Sequence, residues 1–424
     1  MTADPGERAS ATVPVEAAGH ESEHARSWVS ILSAAVLLQA TSAFHVRIVP
    51  TLAPVLTAVA DVSPAVVGYV AAIGTAGSMA FLLAGTVLIR RLGPIRAMQV
   101  GVLLGTAGSA LIAVPFWPAL ALGSFLIGFG YGPTAPAGSD VLQRHAPRRH
   151  RSLVFSIKQA GVPLGGVFAG LVLPPAAAVS WRFAIGLAVV LSLAPIVAVQ
   201  PLRSRVDAER DAAQAVSLAT LLSPANLLLP LAAMRLSPAL VPLTYAAFCY
   251  AAAQGAVLTF FVTYLALELG QGLAAAGMAF AVMQATGVLG RVLLGWLADR
   301  TNAPVRMLAL LGVAAAATVT ATAVTTPAWP LWSLVALAGV AGITVTSWNG
   351  LYLAEVARVV PRTRIGEATS GSTLLTFLGY IVGPSAFALI LETVGYRTAF
   401  FVTAAVALTA TAALRPLVRT ERAG

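Results

Sequence analysis

Apolar runs with few charges recur from end to end of the chain, separated by short polar or proline-marked breaks. At about 18 or more residues each, they match the ~30 Å hydrocarbon core that a crossing helix must span. Read between the breaks, they predict helices over 30–57, 64–88, 97–114, 118–139, 153–174 and 181–199. A second series follows over 239–266, 272–297, 305–325, 329–353, 368–391 and 396–414. The runs are continuous rather than alternating, so helices are implied and a barrel is not. Ser63-Pro64 and Ser237-Pro238 have the form of a cap followed by Pro at the first helical position.

Residues 216–234 form a further, weaker run. Counting it as a crossing would invert the second half, and it contains Pro224, Asn226 and Pro230, so it reads as an interfacial segment. The two series also resemble each other. LGPIRAM at 92–98 corresponds to NAPVRML at 302–308, and Trp181-Arg182-Phe183-Ala184 to Tyr396-Arg397-Thr398-Ala399, at offsets of 210 and 215. The expected fold is an all-α membrane protein with twelve transmembrane helices in two pseudo-symmetric six-helix bundles. The bundles occupy 28–202 and 238–415, joined by a cytoplasmic central loop at 203–237 that holds the interfacial segment. Tails lie at 1–27 and 416–424. Parallel repeats of this kind occur in carriers whose halves rock about a midplane site.

Composition agrees with a lipid solvent. With 58% hydrophobic and 10% charged residues, the 424-residue chain has too little charge to cover a soluble globule. The net charge of +10 could suggest nucleic acid as a partner, but the basic residues lie in short pieces between spans. Arg47, Lys158 and Arg291 lie near the membrane core, and Arg182 and Arg397 at one surface. The rest gather in alternate loops and both tails, as the cytoplasmic bias of Lys and Arg requires. Both termini are therefore expected in the cytoplasm and the protein in the inner membrane, with lipid as its main partner. The polar, acidic first 26 residues read as a disordered tail rather than a signal peptide.

The single cysteine, Cys249, can build neither a disulfide framework nor a cysteine metal site, and no metal or cofactor is expected. No hydrolytic triad, H-E-x-x-H, phosphate loop or nucleotide-binding glycine motif occurs, so the chain is not expected to be an enzyme.

Ionisable residues in a membrane core cost ~2.5–3.5 kcal/mol each by insertion scales and mark functional positions. Arg291 lies about 12 Å in from the end of its span at 1.5 Å per residue, with Gln284 two turns away on the same face. Lys158, followed by Gln159, lies about 10 Å deep by the same rise. His45 and Arg47 stand near the middle of the first span, about 200° apart around the helix, so only one faces a central cavity squarely. His45 shares its face with Thr41 and Ser42 and could carry a coupling proton. Trp348, Asn349 and Tyr352 are further candidates for lining a pocket, and Tyr250 and Gln254 are weaker ones. The acids Asp61, Asp140, Glu268, Glu355, Glu367 and Glu392 all fall near span ends.

Gly295-Trp296-Leu297-Ala298-Asp299-Arg300 resembles the G-x-L-A-D-R signature of the major facilitator superfamily, a resemblance that extends over about residues 28–415. It implies a cytoplasmic gate built on Gly295, Asp299 and Arg300, with Arg90 and Arg91 in the equivalent loop of the first half, which lacks the aspartate. It also implies that spans three, six, nine and twelve are outer supports; these carry no internal charge. Ser156 to Gly166 and Gly290-Arg291 are similar to bacterial carriers of the cyanate-permease type. Arg291 sits where monocarboxylate and oxalate:formate carriers place a substrate-binding arginine. Drug:proton antiporters place an arginine where this chain has Ser124, so the proton-coupled exporter is the second reading; a membrane-embedded enzyme or receptor is the third. The resulting expectation is a monomeric secondary transporter of a small anion, held by Arg291 with Lys158 and either His45 or Arg47. Gln159, Gln284, Trp348, Asn349 and Tyr352 would line the site.

Overall fold

The computed structural model describes residues 15–145, 147, 151–221 and 223–423, a few side chains such as that of Asp299 excepted. Its first half consists of α1 (Val15–Val59), α2 (Val66–Ala84), α3 (Thr86–Leu92), α4 (Pro94–Ile112), α5 (Trp117–Tyr131), α6 (Thr134–His145), α7 (Arg151–Val179) and α8 (Trp181–Val206). Two short helices, α9 (Leu218–Leu221) and α10 (Ala225–Ala232), lie between the halves. The second half consists of α11 (Leu240–Thr263), α12 (Leu273–Thr301), α13 (Pro304–Ala323), α14 (Leu331–Thr346), α15 (Asn349–Arg358), α16 (Ile365–Val394) and α17 (Tyr396–Ala423). No strand occurs among the described residues.

Among the described residues, eleven helical stretches are long and apolar enough to cross a membrane. The crossing that fails this test is the fourth, expected as one helix over 118–139. Gly132 and Pro133 divide it into α5 and α6, because Pro133 has no N–H to donate and its ring excludes the carbonyl four residues back. The two pieces together carry the chain across. The tenth crossing, expected as one helix over 329–353, is also divided, at Ser347 and Trp348 between α14 and α15. Crossings four and ten are equivalent in the internal repeat, so the two halves are broken at the same place.

The ends are more helical than expected. Helix α1 starts at Val15, inside the stretch read as a tail, and α17 runs on to Ala423. Residues 1–14 of the expected tail lie outside the described residues. The segment between the halves folds into helices of four and eight residues, too short to cross.

The hydrophobic core shows how the halves meet. One cluster draws on both, with Phe44, Ile48, Leu52 and Leu173 from the first half and Phe260, Phe280, Phe387 and Phe400 from the second. It includes residues near the α1–α2, α7–α8, α11–α12 and α16–α17 turns, such as Leu56, Val67, Ala176, Ala184, Leu269, Ala276 and Tyr396, so it lies at the face opposite the termini. Two further clusters, at the terminal face, each belong to one half: Ile31 to Val206 in the first and Leu240 to Leu414 in the second. Apolar packing thus seals the halves together at one face and leaves them separate at the other. The molecule is closed on the side away from its termini and open towards them.

Small residues allow that closure. A Cβ added at Gly170 of α7 would stand 2.6 Å from the Gly277 carbonyl of α12, so the two backbones are in contact. Gly68 of α2 meets the Pro384 carbonyl of α16 in the same way.

Candidate functional site

Side chains from four crossings of the two halves come together in one group. Arg47 comes from α1, Tyr131 from the end of α5, Arg291 from α12 and Tyr380 from α16. Each guanidinium lies within electrostatic range of both phenols, and Arg47 within range of Arg291. All four are partly exposed, and Arg291 lines a cavity. The break in the fourth crossing helps to place Tyr131, whose carbonyl accepts the Thr134 hydroxyl across the Gly132-Pro133 step at 2.7 Å.

Arg291 reaches across the interface. Its Nη1 donates to the Gln159 carbonyl of α7 at 3.4 Å, while Nε and Nη2 donate to the Thr346 carbonyl at 3.3 and 3.2 Å. Arg47 is less satisfied: its Nε is buried without a hydrogen-bond partner. None of the ion pairs among the described residues involves Arg47, Arg291 or Lys158. The two buried acids are occupied elsewhere. Asp207 accepts the backbone N–H groups of Ile95 and Arg96, and Glu355 pairs with Arg358 at 2.8 Å.

Gln254 of α11 organises one wall. Its Oε1 accepts from Trp348 Nε1 at 2.8 Å and from the Tyr380 hydroxyl at 3.0 Å. The Tyr380 hydroxyl also bonds to the Asn349 side chain. Trp348 is buried between Tyr250 and Tyr352, at 5.7 and 5.8 Å between ring centroids, so it packs within its own half. The Tyr352 hydroxyl accepts from Thr376 at 3.5 Å. Of the predicted aromatic and amide group, Asn349 reaches the central cluster directly, and Trp348 reaches it through Gln254.

Other expected site residues are placed elsewhere. His45 bonds through Nε2 to Ser192 of α8 at 2.7 Å and lies against Gly105 of α4, inside the first half. Of His45 and Arg47, it is Arg47 that joins Arg291. Lys158 is buried and donates to the Ala135 carbonyl of α6 at 3.3 Å, beside Gly138 and Met98, so its ammonium is turned into its own bundle. The Gln284 amide is buried in the α7–α12 seam against Gly166. Gln159 contributes its carbonyl to Arg291, and its side chain accepts from Gln39 at 3.3 Å. The participation of Tyr131 and Tyr380 was not foreseen. The only local signal was the Gly-Pro pair directly after Tyr131.

A cavity of about 790 Å³ runs from Arg291 past Gly295, Ala298, Glu355 and Arg358 to Glu421 at the terminal face. A Cβ at Gly295 would meet nothing within 4 Å, so no close packing of backbones requires a glycine there in this conformation. The Arg300 guanidinium stands over the Trp296 ring at 5.3 Å. Arg91 donates to the Gln214 carbonyl at 3.5 Å and the Arg90 carbonyl accepts from Asp211. The Asp299 side chain lies outside the described residues.

The family model for the Major Facilitator Superfamily matches residues 32–358. The chain belongs to that superfamily. It is 27% identical over 336 residues to an uncharacterized MFS-type transporter of Mycobacterium tuberculosis strain CDC 1551 / Oshkosh, covering 78% of this chain and 72% of that one. Among solved structures it is similar to a bacterial homolog of the human lysosomal transporter Spinster, described as inward-facing and unoccupied, with a TM-score of 0.74 at 15% identity. That match covers 93% of this chain and 97% of the other. A peptide transporter POT in complex with sulfate matches with a TM-score of 0.74 at 16% identity, over 93% and 95% of the two chains. At such identities these likenesses concern the fold alone. Membership makes this superfamily chain a multi-pass membrane transporter and not an enzyme. No resemblance to cyanate permeases or oxalate carriers emerged from these matches.

Proposed function

We propose that the chain is a secondary active transporter that moves a small anion across the inner membrane by alternating access, with both termini in the cytoplasm. The observation that carries this reading is the pair Arg47 and Arg291, which opposite halves bring within electrostatic range of each other without a neutralising carboxylate among the described residues. A guanidinium in a low-dielectric cavity favours a counter-charge, and its planar fork suits two oxygens of a carboxylate. An anion held by both halves gives the occupied carrier a reason to close that the empty one lacks, because closure brings both guanidiniums to the same ligand.

The cytoplasmic bias of arginine supports a cytoplasmic position for the open face, and on that reading the described conformation is inward-open. A coupling proton finds neither a carboxylate nor an imidazole beside the two arginines among the described residues, since His45 is held by Ser192 inside the first half. This weighs against the proton-coupled exporter of cationic compounds, whose cargo the same two charges would repel.

The test is uptake into proteoliposomes. Truncating one partner of a buried charge pair costs roughly 2–5 kcal/mol, so Arg291→Ala should lower uptake at subsaturating anion by about 30-fold or more. Arg291→Lys should restore only part of it, because the fork is lost. Wild-type rate and affinity in Arg291→Ala would refute the anion site.

A further inference from the structure

Resting on the anion reading, we propose that the cargo carries two negative charges, and that Arg47 is the residue that selects the second. Arg291 already gives Nε, Nη1 and Nη2 to two backbone carbonyls, so the protein holds its fork in place before any ligand arrives. Arg47 is not held in this way: its Nε is buried with no partner, and no acid pairs with it among the described residues. A guanidinium has five N–H donors and no acceptor, and it stays protonated in proteins. The site therefore presents a second, poorly satisfied cation beside the first.

Among the described residues no group on the walls cancels that charge. The Tyr380 hydroxyl is spent on Gln254 and Asn349. Tyr131 can offer a hydrogen bond but, as a neutral phenol, no counter-charge. Asp207 and Glu355 are bound to a helix start and to Arg358. The two guanidiniums lie within electrostatic range of each other, so a monoanion would neutralise one and leave the other buried and unpaired, which is the costly arrangement. A ligand with two negative charges on oxygen acceptors closes the account. A dicarboxylate and a divalent oxyanion share that chemistry.

The experiment measures binding to the purified full-length protein by thermal shift and isothermal titration. The probes are succinate, malonate and sulfate against monomethyl succinate and propionate, at constant ionic strength. Monomethyl succinate keeps the succinate skeleton and removes one charge. The wild type should bind at least one dianion tenfold or more tighter than its monovalent counterpart. Arg47→Gln should bring that ratio to within about twofold, while Arg47→Lys should retain most of it. Succinate preferred but not sulfate would point to two separate carboxylates, and the reverse to a compact oxyanion; either supports the proposal. Equal binding of succinate and its monoester in the wild type, with sulfate and malonate no better than propionate, overturns it. So does an unchanged ratio in Arg47→Gln, or a wild type that binds none of the dianions. These outcomes are separable from failure of the anion reading itself, which is signalled by Arg291→Ala binding every probe as the wild type does. Should Arg47→Gln not fold, the wild-type ratio and the Arg47→Lys variant still decide.

Discussion

Asp207 and Glu421 close equivalent helices in the two halves. Asp207 accepts the backbone N–H groups of Ile95 and Arg96, both at 2.9 Å, at the start of α4. Glu421 accepts those of Val305 and Arg306 at 3.1 and 2.9 Å at the start of α13. Both helices begin with proline, and both acids lie at the end of the last crossing of their half, so each carboxylate ties its half's third crossing to its sixth. The first N–H groups of a helix have no partner within it, and negative charge is favoured there. Asp207→Ala should cost roughly 1–2 kcal/mol, the range of a lost cap, and lower the melting temperature of the purified protein. Glu421→Ala should cost less, because Glu421 is partly exposed where Asp207 is buried. Gly93→Ala should be worse than either, since Gly93 has φ 88° and a Cβ there would lie 2.6 Å from Asp207 Oδ1. Equal melting temperatures for all three variants and the wild type would remove these caps from the account of stability.

The repeat LGPIRAM and NAPVRML announced the kinship of the two halves, and the apolar runs announced the crossings, because both signals lie in short stretches of chain. The acids that close those starts were not legible, since each comes from more than a hundred residues away and a long-range cap leaves no spacing pattern. The same limit governed the site. Arg47 and Arg291 stood out because charge in lipid is expensive wherever it points. What could not be read was which way the other charges turned: Lys158 into α6, His45 onto Ser192. Tyr131 and Tyr380 stayed hidden because a tyrosine in an apolar span is ordinary until its neighbours are known.

On the alternating-access reading the seam of α7 and α12 is the closed gate of this conformation, and its tightness depends on glycine. Gly170→Leu would force side-chain atoms into the Gly277 carbonyl and the Ala281 backbone nitrogen, 2.6 and 3.0 Å from the first added carbon. The expected result is a seam that cannot close, with uptake lowered tenfold or more. In a variant lacking Cys249, a cysteine at the buried Ala276 should then react faster with an impermeant thiol reagent applied from the face opposite the termini. Unchanged labelling with normal uptake would show that this seam is not the gate.

Orientation is tested by the same chemistry. The loop after α6 and the turn before α12 are separated by three crossings, α7, α8 and α11, provided that α9 and α10 do not cross. A cysteine at Gln143 should therefore be modified from the cytoplasmic side only, and one at Gln271 from the opposite side only. Labelling of both from one side would mean that the segment 216–234 crosses the membrane after all.

Tyr131 should separate binding from stability. Its hydroxyl has no hydrogen-bond partner among the described residues, yet the phenol lies within electrostatic range of both Arg47 and Arg291. Tyr380, in the same position relative to the arginines, has its hydroxyl engaged by Gln254, which also holds Trp348. The two phenols thus stand beside the same arginines with different obligations: one is free to donate to a ligand, the other holds a wall together. A hydrogen bond to a charged acceptor contributes about 1.5–3 kcal/mol, so Tyr131→Phe should weaken anion binding by about 10- to 100-fold with little change in melting temperature. Tyr380→Phe releases one of the two donors to a buried amide oxygen and should lower the melting temperature while changing affinity less. Isothermal titration beside thermal melting of both variants checks the assignment. Wild-type affinity in Tyr131→Phe would place its hydroxyl outside the binding site, and a reversal of the two patterns would make Tyr380 the ligand's partner.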